Sequence, residues 1–209
     1  MPDIKDSKLI VISAPSGTGK TTLVKLLLSN ITKCKFSISH TTRKKRPNEI
    51  NGKDYFFINP EEFKNLVKRD YFAEYAEVFG NWYGTSKKSI QLELDKGSWV
   101  ILELDWQGAT QIRASNLDCL SIFLLPPSKI HLKNRLYGRS TDSEDVIKRR
   151  LDEAVSDMKH WEEFDYVVIN DDINKAYKQV KNILCGKGDE NSSFNLINSS
   201  RISRIIESE

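Results

Sequence analysis

An apolar run, Leu9 to Ile12, leads into Ser13, Ala14, Pro15, Ser16, Gly17, Thr18, Gly19, Lys20, Thr21 and Thr22, and from Lys20 onward the apolar residues recur at helical spacing. Glycines let the main chain curl so that successive N–H groups point at an anion beyond the helix N-terminus, where the helix dipole also favours negative charge. Lysine at the end of such a turn reaches outer phosphates, and the hydroxyl after it is a hard donor for Mg²⁺. Residues 14–22 are thus a candidate phosphate cradle, with Lys20 as its cation and Thr21 as its Mg²⁺ ligand. Ala14 occupies the first glycine position of the usual G-x-x-x-x-G-K-[ST] pattern. A glycine turn closing an ordinary strand–helix unit is the plainer alternative.

A second element carries acid. Val100 to Leu104 is an apolar run, interrupted by Glu103, that ends on Asp105. An acid at the carboxyl edge of an α/β sheet lies where such sheets bind ligands, so Asp105 can position Mg²⁺ through its water shell or hold a second substrate. Capping of a helix before Gly108 is the competing role. Asp105 to Gly108 also satisfies the D-x-x-G of GTPases, but the guanine-reading N-K-x-D does not follow, since Asn174-Lys175-Ala176 is succeeded by Tyr177.

The elements that must hold these residues follow from hydrophobic patterning. Short apolar runs at Leu9–Ile12, Val100–Leu104, Ile122–Leu125 and Val167–Ile169, with a weaker one at Phe36–Ser39, read as buried parallel strands. Helical patterns over Lys20–Ser29, Ser86–Asp95, Ser128–Tyr137, Asp142–Glu163 and Ile173–Leu184 alternate with them. Strand then helix, repeated, predicts an α/β fold, an open parallel sheet with helices on both faces, and the phosphate cradle of residues 14–22 makes it the P-loop NTPase type. Ten of the 20 aromatics fall between Tyr55 and Tyr83, around the turn pairs Asn51-Gly52 and Gly80-Asn81. Aromatic runs between such turns predict antiparallel strands in an inserted lobe. The Asn- and Ser-rich tail after Gly186 reads as largely unordered up to a short helix from Ser200.

Composition sets the bounds. With 209 residues, 29% charged and 39% hydrophobic, the chain is long enough for a real core and is neither fibrous nor a disulfide scaffold. Cys34, Cys119 and Cys185 form no C-x-x-C pair, which argues against a zinc site or disulfide frame. A net charge of +3 is too small for long-range attraction to nucleic acid. Neither a membrane-spanning run nor a secretory signal is apparent, so the expectation is a cytoplasmic protein with no membrane or nucleic-acid partner.

From about Ser7 to Ile183 the sequence closely resembles the guanylate kinase family of nucleoside monophosphate kinases. The resemblance rests on Ser13 to Lys20, Ser39 to Arg43 with Arg46-Pro47, Gly52 to Phe57, Glu77 to Thr85, Asp105 to Gly108, Leu125 to Ser128, Gly138-Arg139 and Val168 to Asp172, all in one order. It implies transfer of a phosphoryl group from ATP to GMP with Mg²⁺ as cofactor. It implies, too, that Ser39, Glu74 and Thr85 contact guanine and that Asp105 belongs to the GMP-binding set. Arg43, Arg46, Tyr55 and Tyr83 align with residues that grip the GMP phosphate, and Arg135, Arg139 and Arg150 with arginines that close on the ATP phosphates. Asn170 falls near the adenine site. Along the chain the resemblance divides a core (1–38, 86–127 and 158–186) from a mixed β/α GMP-binding insertion (39–85), a helical lid (128–157) and a polar tail (187–209).

The implied chemistry is coherent. Guanine presents N1–H and the N2 amine as adjacent donors that an ionised Glu74 accepts together, whereas adenine sets a lone pair against the carboxylate. Two anionic phosphates repel, and arginine and lysine cancel that repulsion. The acceptor phosphate is largely ionised at neutral pH, its second pKa being about 6, so no general base is nominated. Read without the family, Arg43 to Arg46 is a solvated charge run, Tyr55 and Tyr83 are core aromatics, Glu74 is a surface residue, and the lid arginines pair with nearby acids. His40, His131 and His160 share no ligand spacing. A non-catalytic partner-binding module of the same family and a P-loop kinase of another small acceptor are the rival functions.

Overall fold

The computed structural model describes residues 7–78, 80–115, 117–137 and 144–207, the last segment with side chains from 147 onward. In chain order the elements are β1 (Lys8–Ser13), α1 (Lys20–Asn30), β2 (Cys34–Phe36), β3 (His40–Thr41), β4 (Phe56–Phe57), α2 (Pro60–Lys68), β5 (Phe72–Val78), β6 (Asn81–Ser86) and α3 (Lys87–Asp95). There follow β7 (Trp99–Leu104), α4 (Trp106–Ala114), β8 (Cys119–Leu125), α5 (Lys129–Tyr137), α6 (Glu144–Asp157), β9 (Tyr166–Ile169), α7 (Ile173–Leu184) and α8 (Leu196–Glu207). Five strands form one sheet in the order β2-β7-β1-β8-β9, and four form a second in the order β4-β3-β6-β5. In the larger sheet β2 runs parallel to β7 and β8 to β9. Strands covered on both faces need no polar alternation, which is why β1, β7 and β8 read as nearly continuous apolar runs.

By compactness the described residues divide into two units, one falling within 1–10, 32–102 and 107–119, the other within 11–31, 103–106 and 120–209. In the first, Phe63 stacks on Phe72 with centroids 4.7 Å apart, and Trp82 lies 5.9 Å from Phe63. In the second, Phe123 of β8 meets Phe164 at 4.9 Å. There Ser121 and Asp165 interlock: Asp165 Oδ2 accepts from the Ser121 amide at 2.8 Å and hydroxyl at 2.6 Å.

Several sequence expectations change. The smaller sheet is mixed, because β3 pairs with β4 in parallel while β5–β6 and β3–β6 are antiparallel. Asn51-Gly52 therefore opens no hairpin; Gly52 has φ +76° in a local turn closed by an isolated Asn51–Tyr55 bridge. β2 begins earlier than Phe36, at Cys34, and Ser37 extends its ladder by one bond to Ile101 O at 3.1 Å. The predicted helix to Glu163 ends as α6 at Asp157 and tightens into a 3₁₀ turn, Met158–Glu163. Three-residue periodicity puts the buried Met158 and Trp161 on one face of that turn.

The tail is ordered well before Ser200. A 3₁₀ turn at Asp189–Asn191 precedes α8, whose Ile202 and Ile205 are buried. Ser192 bridges Tyr166 antiparallel, Ser193 N donates to Asp165 O at 3.0 Å, and Asn191 Nδ2 donates to Val167 O at 3.3 Å. Polar residues here bond to the main chain beside β9. Two helices were absent from the sequence reading. α2 has only Phe63 buried, but it starts on the Asn59 cap, whose side chain accepts from Glu62 N, with Pro60 following. α4 begins just after Asp105 and buries Gly108, Ala109 and Ile112, so the residues that match D-x-x-G lie largely in a helix.

Candidate active site

The phosphate loop belongs to the second unit. Gly17 and Gly19 have φ of +87° and +97°, which side-chain-bearing residues rarely adopt. Side-chain tips also crowd both positions: a Cβ on Gly19 would lie 2.7 Å from Asn170 Nδ2, and one on Gly17 would lie 2.9 Å from Leu136 Cδ2. Gly19 caps α1 without any side-chain bond, leaving the first-turn amides to the loop. Lys20 Nζ donates to Leu104 O at 2.5 Å, which ties the lysine to the carboxyl end of β7.

Arg135 and Asn170 meet the same loop. Arg135 donates to Thr18 O at 3.1 Å and to Asn170 O at 2.9 Å, while Asn170 Nδ2 donates to Thr18 O at 2.7 Å. Around this knot Ser13 Oγ, Thr18 Oγ1 and Asn170 Oδ1 are buried without hydrogen-bond partners among the described residues. Unmet polar atoms are costly in a dry interior, and these three lie at the end of β1, in the loop and just after β9. Arg150 lies half-buried on α6, and Arg139 falls outside the described residues.

Acid gathers at the end of β7. Thr21 Oγ1 donates to Glu103 Oε1 at 2.6 Å, so the residue that merely interrupted an apolar run faces the hydroxyl proposed for a metal. Its position two residues before Asp105, at the carboxyl end of the same apolar run, was the available signal. Burial pushes the Asp157 carboxyl up, and the negative charge of Asp105 adds to the effect. Trp106 opposes it by donating to Asp157, and its indole stacks on His160 with centroids 3.8 Å apart.

In the first unit Ser39, Glu74 and Thr85 form a buried chain. Thr85 Oγ1 donates to Glu74 Oε1 at 2.5 Å, and the Ser39 and Thr85 hydroxyls are 3.1 Å apart. Glu74 is only 3% exposed, which excludes its reading as a surface acid. Pairing makes the chain: β5 sets Glu74 opposite Thr85 of β6 after a register shift between Phe72 and Glu74.

Arg43, Tyr55 and Tyr83 form a neighbouring group. The guanidinium lies 5.4 Å from the centroid of the Tyr55 ring, and Tyr55 is 5.9 Å from Tyr83 edge-on. Glu49, which sequence reading passed over, accepts from Arg43 Nη2 at 2.6 Å and from the Arg46 amide at 2.8 Å. Arg43 thereby holds its proton more firmly, and Glu49 stays below the usual carboxylate range. The Arg46 side chain is 67% exposed and reaches Glu49 only at 4.0 Å.

A family model described as guanylate kinase matches residues 6–187. The chain belongs to the guanylate kinase family. Guanylate kinase of Escherichia coli (strain K12) is 49% identical over 178 residues, covering 84% of this chain and 86% of that protein. Guanylate kinase of Salmonella paratyphi A matches with the same identity and coverage. The crystal structure of guanylate kinase from Anaplasma phagocytophilum aligns with a TM-score of 0.71 at 34% identity, covering 87% of this chain and 86% of that one. Within this guanylate kinase family member the turn at Asp189 and helix α8 lie beyond the matched residues. No helix among the described residues is long and apolar enough to cross a membrane.

Proposed function

We propose that this chain is an ATP-dependent guanylate kinase that transfers the γ-phosphoryl group of ATP to GMP, giving ADP and GDP by direct in-line displacement without a phosphoenzyme. The observation that carries the reading is the depth of Glu74, bonded to Thr85 and joined through it to Ser39. A buried carboxylate is expensive without donors, and guanine brings two adjacent ones. Adenine meets it with a lone pair, and a site with an unsatisfied buried carboxylate rejects the wrong base strongly.

The other assignments follow from charge. Residues 14–22 and Asn170 hold ATP, Arg43, Arg46, Tyr55 and Tyr83 hold the GMP phosphate, and Asp105 contributes on the GMP side. Lys20, Arg135, Arg139 and Arg150 neutralise the donor phosphates as they react. Bidentate guanidiniums suit the phosphate oxygens better than point charges do. In this reading residues 39–85 are the GMP lobe, 128–157 the lid, and the remainder up to 186 the core.

Among the described residues no group of three or more His, Cys, Asp or Glu side chains is placed to cage a metal. Mg²⁺ needs no such cage, since it keeps several waters and leans on substrate phosphates. Thr21, with Glu103 at its hydroxyl, is a hard-oxygen donor set that fits it; Thr21 would hold the ion directly and Asp105 through water. When bound, Mg²⁺ supplies charge neutralisation at the donor phosphates. Glu103 orients the Thr21 hydroxyl.

A coupled assay of ADP formation with GMP, AMP, UMP and TMP as acceptors tests the proposal. GMP is expected to be the preferred acceptor, and a chain that phosphorylates only one of the others overturns it.

A further inference from the structure

β5 is the outer strand of the four-stranded sheet. An outer strand presents main-chain N–H and C=O groups that no neighbouring strand satisfies. At Tyr75 both are taken by a single side chain from α4: Gln111 Oε1 accepts from Tyr75 N–H at 3.0 Å, and Gln111 Nε2 donates to Tyr75 C=O at 2.7 Å. Only a primary amide carries a donor and an acceptor side by side in this way. At this one point Gln111 does what another strand would do.

Tyr75 follows Glu74 directly, and its N–H belongs to the peptide group that leaves the Glu74 Cα. On the other side of Glu74 the strand is irregular, because its register with β6 shifts between Phe72 and Glu74. The carboxylate is therefore located by regular pairing with Thr85 on one flank of β5 and by the Gln111 clamp on the other. Two parallel hydrogen bonds to adjacent donors tolerate little displacement, since they weaken steeply with distance and angle.

We infer that Gln111 is a positioning residue for base recognition, holding β5 so that Glu74 meets both donors of guanine at once; this rests on the reading of Glu74 as the base-selecting group. Gln111 touches no substrate in this role. It acts only through the main chain of Tyr75.

Steady-state kinetics of Gln111→Ala, Gln111→Glu and Glu74→Gln, with GMP or IMP as acceptor and ATP varied separately, test the inference. Alanine keeps α4 helical, being the best helix former. Glutamate keeps the acceptor for Tyr75 N–H but sets an oxygen against its carbonyl. For Gln111→Ala the KM for GMP should rise about tenfold, the worth of roughly 1.4 kcal/mol from two lost hydrogen bonds. The KM for ATP should stay within about twofold, and the preference for GMP over IMP should narrow because IMP lacks the N2 amine. Gln111→Glu should move both quantities the same way. Unchanged GMP kinetics in both Gln111 variants, alongside a damaged Glu74→Gln, overturn the positioning role alone. Parallel rises in both KM values with an unaltered GMP-to-IMP ratio overturn it too, as the mark of general loosening. Unchanged GMP kinetics in Glu74→Gln overturn the underlying reading and the inference with it.

Discussion

Lys20 shows how much of the chemistry is decided by single side chains. Its ammonium has three donors, and Leu104 O takes one at 2.5 Å. In the proposed role the other two serve phosphate oxygens. Lys20→Ala removes that charge with little loss of packing, because the residue is only partly buried. Turnover is expected to fall by about 10³-fold or more, the usual scale for deleting a charge that stabilises the transition state. The circular dichroism spectrum and melting temperature should stay close to those of the parent. Retained turnover removes Lys20 from the reaction. Its place was legible from sequence because glycine, lysine and threonine at fixed offsets have few other uses. Glu49 and Glu103 were not, because their partners are brought to them by the fold: Glu49 reaches Arg43 within a loop, and Glu103 reaches Thr21 across 82 positions. A lone acid in either stretch carries no such information.

Elements were legible in proportion to how completely they are buried. β1 and α7 appear close to their expected bounds, since one is an unbroken apolar run and the other keeps a single apolar face. The aromatic lobe was recognisable but its topology was not, because β3 and β4 have two residues each and pair in parallel. His40 of β3 is instructive. Its ring lies 4.8 Å from Phe56 and 5.5 Å from both Tyr71 and Phe72, and its Nδ1 is buried without a partner among the described residues. Burial lowers its pKa below the ordinary value of 6.5, with the Glu62 charge opposing the shift. Below about pH 6.5 the unfolded chain therefore takes up a proton that the folded one refuses. The stability this histidine contributes is complete above that pH and is lost as the pH falls toward the lowered value. Urea midpoints at pH 7.5 and 5.5 should drop less on acidification for His40→Phe than for the parent. Equal drops in both would show that the ring is not the source.

At the scale of the whole molecule, the proposed ATP residues 14–22 and the base-reading group of Ser39, Glu74 and Thr85 fall in different compact units. Each nucleotide should accordingly protect the chain from heat by itself. A ligand at about 100 times its Kd adds about 2.7 kcal/mol to the folded state, enough to read in a melting curve. GMP and ATP are both expected to raise the midpoint. Lys20→Ala should blunt the response to ATP while leaving that to GMP. A chain whose midpoint ignores both nucleotides is a partner-binding module and not a kinase.

The tail departs furthest from its composition at this scale, since abundant Asn and Ser normally signal solvation. Ser192, Ser193 and Asn191 engage Tyr166, Asp165 and Val167 beside β9, the last strand of the five-stranded order. The final polar stretch thus works as a hem. At these positions it takes up main-chain groups of the border strand that would otherwise lie open to a strand of another molecule.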